Sequence, residues 1–147
     1  DLLDKNGKSV TLESLKGKYV YLNFWAVWNK ESQAEMDLFK KLKADYGDFV
    51  EFVSINIDSK KSRFNNYIVS HQDYDWTMLH FGGNSNLLDQ YEVYNIPLYI
   101  LIDTNGNIMA SPASKPSPDG NYLSIDKTFF DIKKKYTKKK KFNVGIK

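Results

Sequence analysis

"FWAVWNKESQAEM", residues Phe24–Met36, is the stretch on which the reading of this chain turns. An apolar, aromatic run ends abruptly in polar residues from Asn29 to Ser32, and apolar positions then return. Upstream, "YVYLNFW" (Tyr19–Trp25) is almost continuously apolar and rich in β-formers, which suits a strand buried on both faces. Downstream, Lys30 to about Tyr46 reads as a helix closed by Gly47. Ala34, Leu38, Leu42 and Ala44/Asp45 trace its expected apolar stripe. The polar break therefore falls at a helix N-terminus.

Working outward, Asn6-Gly7 between short apolar segments predicts a tight N-terminal hairpin. "ESLKGK" is a helical turn. Phe49–Ile57 is a second central strand, and "SRFNNYIVS" places Phe64, Tyr67 and Ile68 on one side of a short helix. "HQDYDWTMLHFGGNS" is expected to be irregular, and "NLLDQYEV" is a further helical turn. Leu98–Asp103 is a third buried strand that turns through "TNG" into an antiparallel "NIMA". The three prolines of "SPASKPSPDG" predict a loop. From about Tyr122, the spacing of Ile125, Phe129, Ile132 and Tyr136 predicts a C-terminal helix. This alternation gives an α/β fold in three layers, a central mixed β-sheet with helices on both faces and an N-terminal β-hairpin. Residues 1–137 are expected to form the domain and 138–147 a basic C-terminal tail.

A chain of 147 residues with 41% hydrophobic and 27% charged residues fits one soluble domain able to bury its own core. It begins at Asp1 without a methionine or signal-like segment, as expected of a mature product or a piece of something longer. The absence of cysteine excludes disulfides, thiolate chemistry and cysteine metal sites within it. The net charge of +3 is unevenly placed: residues 121–147 carry nine Lys against Asp126 and Asp131, a surplus of +7, so the first 120 residues sum to −4.

At "GKYVYLNFWAVWNKESQAEM" the sequence resembles the thioredoxin superfamily, in particular the TlpA/ResA-like, AhpC/TSA-related thiol-disulfide oxidoreductases of bacterial cell envelopes. Gly17-Lys18, Asn23-Phe24-Trp25-Ala26, Trp28 and Glu35-Met36 fit the family pattern. Asn29 and Ser32 stand where that family has the two cysteines of its CxxC motif, and Asp37 stands where it has a proline. "YEVYNIPLYILIDTNGNI" (Tyr91–Ile108) is a second match, in which Pro97 takes the place of the family's cis-proline and Leu98 replaces the usual threonine. The opening hairpin also fits, so the resemblance covers about residues 1–137. It implies a thioredoxin-like fold, a bacterial periplasm or cell-envelope location, and thiol-disulfide exchange as the ancestral activity.

Neither replacement can perform that exchange. An amide is not a nucleophile, and a lone serine hydroxyl needs a base. As structure, the replacements are sound: Asn is among the best helix N-caps, and Glu31 in the first turn suits the helix dipole. Asn with Ser, rather than Ser or Ala at both positions, favours natural degeneracy over engineered loss. The expectation is a redox-inactive domain, with no cofactor, that acts by binding. By the resemblance, Ile96 before Pro97 offers backbone groups to an extended peptide, with Trp25 and Trp28 framing the groove. The bland alternative puts Trp25 in the core and leaves Trp28 as a surface relic. An oxidoreductase drawing thiols from a partner domain, a parent protein whose cysteines were altered, and a purely structural module are the rival readings. Glu35 is either a buried carboxylate or, more commonly at such a position, a surface residue paired with lysines.

Two further signals are weaker. His71, Asp73, Asp75 and His80 are metal-ligand types in a spacing that matches no standard site, so no metal is expected. "IKKKYTKKKKF" packs seven Lys into residues 133–141. A solvated helix end explains this run most simply, weak contact with anionic membrane is a second reading, and nucleic acid is not expected. The sequence is silent on oligomeric state.

Overall fold

The computed structural model describes residues 2–145, with side chains through Lys139. Strands β1 (Leu2–Leu3) and β2 (Ser9–Val10) form the hairpin around Asn6-Gly7. Gly7 takes φ +81°, and the Asp4 carboxylate accepts the Asn6 and Lys8 amides at 2.8 and 2.9 Å. A 3-10 turn (Leu12–Leu15) leads to β3 (Tyr19–Trp25), α1 (Lys30–Tyr46), β4 (Val50–Asn56), α2 (Lys61–Ser70) and β5 (Thr77–His80). Then follow α3 (Ser85–Gln90), β6 (Leu98–Ile102), β7 (Ile108–Ala110) and α4 (Ile125–Gly145).

The strands form one mixed sheet in the order β2-β1-β5-β4-β3-β6-β7. β3, β4 and β5 run parallel at its centre, and β6 returns antiparallel beside β3. Alternation along β3 splits the core in two. Tyr21 and Trp25 face a cluster with Met36, Phe39, Leu42 and Tyr46 of α1, Phe64 and Tyr67 of α2, and Ile125, Phe129 and Ile132 of α4. Val20, Leu22 and Phe24 face the other side, covered by Leu12, Leu15 and the α3 residues Leu87 and Leu88. The first cluster is aromatic: the Tyr21 ring lies 5.4 Å from Phe39 and 5.0 Å from Phe129, stacked on one and edge-on to the other. Such pairs each add about 0.5–1.5 kcal/mol beyond the area they bury. A polar relay crosses this cluster, with Trp76 Nε1 donating to Ser54 Oγ at 2.8 Å and Ser54 Oγ donating to Asn23 Oδ1 across the Asn23–Ser54 pair of β3 and β4.

Three expectations are corrected. Thr77–His80, expected to be irregular, is a strand, because parallel pairing with Val53–Asn56 supplies the order its four residues cannot specify alone. The buried face of α1 is Ser32, Glu35, Met36, Phe39, Leu42 and Tyr46, while Ala34 and Leu38 face solvent. The large side chains Met36, Phe39 and Tyr46 fix the helix phase, since burying them removes far more apolar area than burying an alanine. The backbone of Lys138–Gly145, within the stretch expected to be a basic tail, continues α4 as helix.

Candidate functional site

The break after β3 is a loop held by several backbone hydrogen bonds. The Trp25 carbonyl accepts the Ile57 amide at 2.9 Å, the Val27 amide donates to Asp58 Oδ2 at 2.7 Å, and the Asn29 amide donates to the Ala26 carbonyl at 3.1 Å. Gln33 Nε2 donates to the Val27 carbonyl. Asp58 is itself fixed: Asn56 Nδ2 donates to its Oδ2 at 2.8 Å, and its own amide donates to Asn56 Oδ1 at 2.9 Å. His80 completes the support. Gly82 N–H donates to its Nδ1 at 3.0 Å, so its Nε2 carries the proton and donates to the Asp58 carbonyl at 2.7 Å. Asn56, Asp58 and His80 are all buried.

Asn29 then caps α1 as expected. Its Oδ1 accepts the Ser32 amide at 2.7 Å, one of the donors that the first helical turn leaves orphaned. Its Nδ2 points the other way, toward the Ile96 carbonyl at 3.5 Å. The β3–β6 register pairs Phe24 with Leu98, which brings Ile96 and Pro97 beside the loop, and the Ile96–Pro97 peptide is cis. Asn29, Ile96 and Pro97 thus meet at one place, with Ile96 and Pro97 half-buried and Trp28 60% exposed beside Asn29 in the chain.

Ser32 does not join them at the surface. It is wholly buried, and its Oγ has no hydrogen-bond partner among the described residues. Trp25 is also corrected: it is wholly buried against Tyr67, ring centroids 4.8 Å apart, so it floors the site from within and frames no groove.

Glu35 lies beneath the same helix start, buried, and its Oε1 accepts both the Ser117 amide at 3.0 Å and the Ser117 hydroxyl at 2.9 Å. The expectation of a lysine-paired surface carboxylate fails because Ser117, 82 residues away, brings two donors to it. Burial pushes the phenols of Tyr99 and Tyr21 well above the usual tyrosine range, and the Glu35 carboxylate adds to this at both. They remain protonated across the physiological range.

The four metal-ligand types do not converge. His71 stacks between Tyr67 and Tyr74, with its Nδ1 at the Tyr67 carbonyl, while Asp73 and Asp75 pair with Lys40 and Lys43 at 3.0 and 3.3 Å. His80 is committed to Asp58. Among the described residues, no group of three or more His, Asp or Glu could hold a metal ion, and no helix is long and apolar enough to cross a membrane. Asp58 is the functional-region residue that motif reading missed. The available signal was its place just past the C-terminal end of a central parallel strand, where α/β sheets build their sites.

Comparison with known proteins fits this geometry. A family model described as Thioredoxin-like matches residues 17–108. The thiol-disulfide oxidoreductase ResA of Bacillus subtilis is 32% identical over 112 residues, 74% of this chain and 60% of ResA. ResA of Bacillus cereus is 30% identical over 108 residues, 72% of this chain and 61% of the relative. The chain thus spans about three fifths of the length of these relatives. A Bacteroides vulgatus structure assigned as a thiol-disulfide oxidoreductase superposes with a TM-score of 0.73 at 29% identity, covering 79% of this chain and 82% of that one. A thiol:disulfide interchange protein from a Bacteroides species gives 0.68 at 25% identity, covering 78% and 76%.

Proposed function

The chain belongs to the thioredoxin-like family, among its ResA-like members, and on that premise we propose that it is a member that no longer exchanges disulfides and instead binds an extended protein or peptide segment. The observation that carries this reading is the site's composition: an amide caps the helix at Asn29, a buried hydroxyl sits at Ser32, and the chain holds no cysteine. Disulfide exchange needs a thiolate to attack sulfur and a second thiol to release the mixed disulfide, and neither is present.

What remains is a shaped surface. The half-buried Ile96 and Pro97 and the exposed Trp28 supply apolar area, and the backbone around Ile96 supplies strand-like pairing with little sequence selectivity. Asn29 supports the binding mode from below. Its long contact at 3.5 Å leaves the Ile96 carbonyl able to accept a stronger bond from a visiting backbone amide. The cell-envelope location follows the family resemblance and belongs to this same proposal.

The tryptophans make the test simple. Trp25 and Trp76 are buried and Trp28 is exposed, so quenching by a solvent-borne quencher reports Trp28. Adding reduced, carboxymethylated α-lactalbumin as an unfolded polypeptide should shield Trp28, and Trp28→Ala should weaken retention of the same polypeptide. In parallel, insulin reduction with dithiothreitol should proceed no faster with the protein than without it. Turnover above the buffer rate would overturn the non-redox reading, and an unshielded Trp28 would overturn the binding one.

A further inference from the structure

The lysines of α4 sit at the pole of the molecule opposite the Asn29–Pro97 face. β3 fixes this geometry, because it starts at Tyr19 and ends at Trp25, where the site loop begins. At its starting end, a groove of about 630 Å³ is lined by Lys18, Tyr19, Asp48, Phe49, Lys135, Tyr136 and Lys139, among others. Seven residues of strand separate the two poles, about 23 Å at the usual rise. That is more than two Debye lengths at physiological salt, so charges around the site loop do not reach the lysine pole, where Asp48 stands beside Lys18, Lys135 and Lys139.

Little of the charge here is engaged, although Lys133 Nζ lies over the Tyr46 ring, 5.7 Å from its centroid. Lys133, Lys134, Lys135, Lys138 and Lys139 are all exposed, and among the described residues none of them has a carboxylate within ion-pair distance. Lys127 does have one, in Asp131. Because α4 stays helical to Gly145, the run projects as a rod. At a helical 100° per residue, Lys134, Lys135 and Lys138 span about 100° of arc opposite the inward line of Ile125, Phe129 and Ile132. The outward arc has no large apolar side chain between Lys133 and Lys139, and the nearby Tyr136 is stacked on Phe49 at 5.7 Å. A surface of this kind attracts negative charge without inserting into hydrocarbon.

We propose that this pole docks on an anionic phospholipid surface, held by charge alone, so that the Asn29–Pro97 face points away from the bilayer. The occupant is a bilayer because the lysines present a broad, predominantly positive end of the molecule, with Asp48 beside them, and the aromatic among them, Tyr136, has its ring stacked on Phe49, which fits a flat anionic sheet better than a nucleobase. The inference is independent of whether the opposite face binds peptide.

Vesicle co-sedimentation of the whole chain tests it. Vesicles of phosphatidylcholine with about 30 mol % phosphatidylglycerol should bring the protein down at about 50 mM salt and release it by about 300 mM, while pure phosphatidylcholine should not bind it. The triple variant Lys135→Gln, Lys138→Gln, Lys139→Gln alters only exposed side chains, and its fold is checked by circular dichroism. It should lose about fivefold in partitioning per charge removed, roughly 100-fold together. Equal binding to neutral vesicles, no binding at low salt, or a folded triple variant that binds like the parent would each overturn the proposal. So would tighter, equally lysine-dependent binding to duplex DNA than to the vesicles, which would assign the pole to nucleic acid.

Discussion

Replacing Asn29 by alanine isolates what its amide contributes at the start of α1. Two contacts are lost. The Oδ1 bond to the Ser32 amide, at 2.7 Å and part-buried, is a full N-cap worth about 1 kcal/mol and up to about 2 where the donor is left without water. The Nδ2 contact to Ile96, at 3.5 Å, lies beyond good hydrogen-bond length and adds a few tenths of a kcal/mol at most, about 0.3. The expected cost is therefore about 1–2 kcal/mol. For a chain of this length, each 1 kcal/mol moves the melting midpoint by about 3 °C, so Asn29→Ala should melt about 3–6 °C lower. Asn29→Asp keeps the acceptor and places a negative charge at the helix N-terminus, an added 0.3–1 kcal/mol or so. It should therefore match or exceed the parent at pH 7. Its carboxylate, held below the ordinary pKa of about 3.9, contributes above that value, and the advantage disappears as pH falls through the folded pKa. Thermal melts followed by far-ultraviolet circular dichroism at pH 7 and pH 3 measure all of this. An alanine variant within about 1 °C of the parent, or an aspartate variant as unstable as the alanine one, would refute the capping account.

Placing sulfur at both positions is the complementary experiment: Asn29→Cys with Ser32→Cys should confer dithiothreitol-dependent insulin reduction above the parent's rate, and a variant that forms its disulfide yet stays inert would show that the site needs more than sulfur to exchange disulfides. Glu35→Ala removes the acceptor for two Ser117 donors and should cost about 2–3 kcal/mol in urea unfolding, with Glu35→Gln costing clearly less; equal costs would mean the acceptor is not what matters. The Tyr46 phenol is pushed up to about 12, by burial first and then by donating to Asp126 at 2.9 Å. A raised folded pKa stabilises fully below the unfolded value of about 10 and is lost as pH rises through about 12. The parent should thus lose stability over that window more steeply than Tyr46→Phe, and parallel pH profiles would contradict this.

The fold was legible where the signal is local. The ends of β3 and α1 could be placed from an aromatic β-forming run, a polar break and Gly47. What escaped depends on distant partners. Thr77–His80 is a strand only because β4 is there to pair with it. Glu35 turns inward because Ser117 arrives from the proline-rich loop, and Asp58 matters because the Val27 amide lies within 2.7 Å of it. The site divides in the same way. Asn29 as a cap is a statement about one helical turn and could be read directly, as could Pro97 from its motif. Whether Trp25 faces out or in is a question about α2, whose Tyr67 covers it, and no spacing within the motif answers that.

The support beneath Val27 has a consequence for how such a domain can be repurposed. Asp58, Asn56 and His80 set the loop's shape from the sheet side, and none of them is a position where the sulfurs would stand. Chassis and payload are therefore separable: side chains at Asn29 and Ser32 can be exchanged without removing any of these sheet-side bonds. A lineage can shed one chemistry and trial another there without first rebuilding its architecture, and a protein engineer can use the same two sockets.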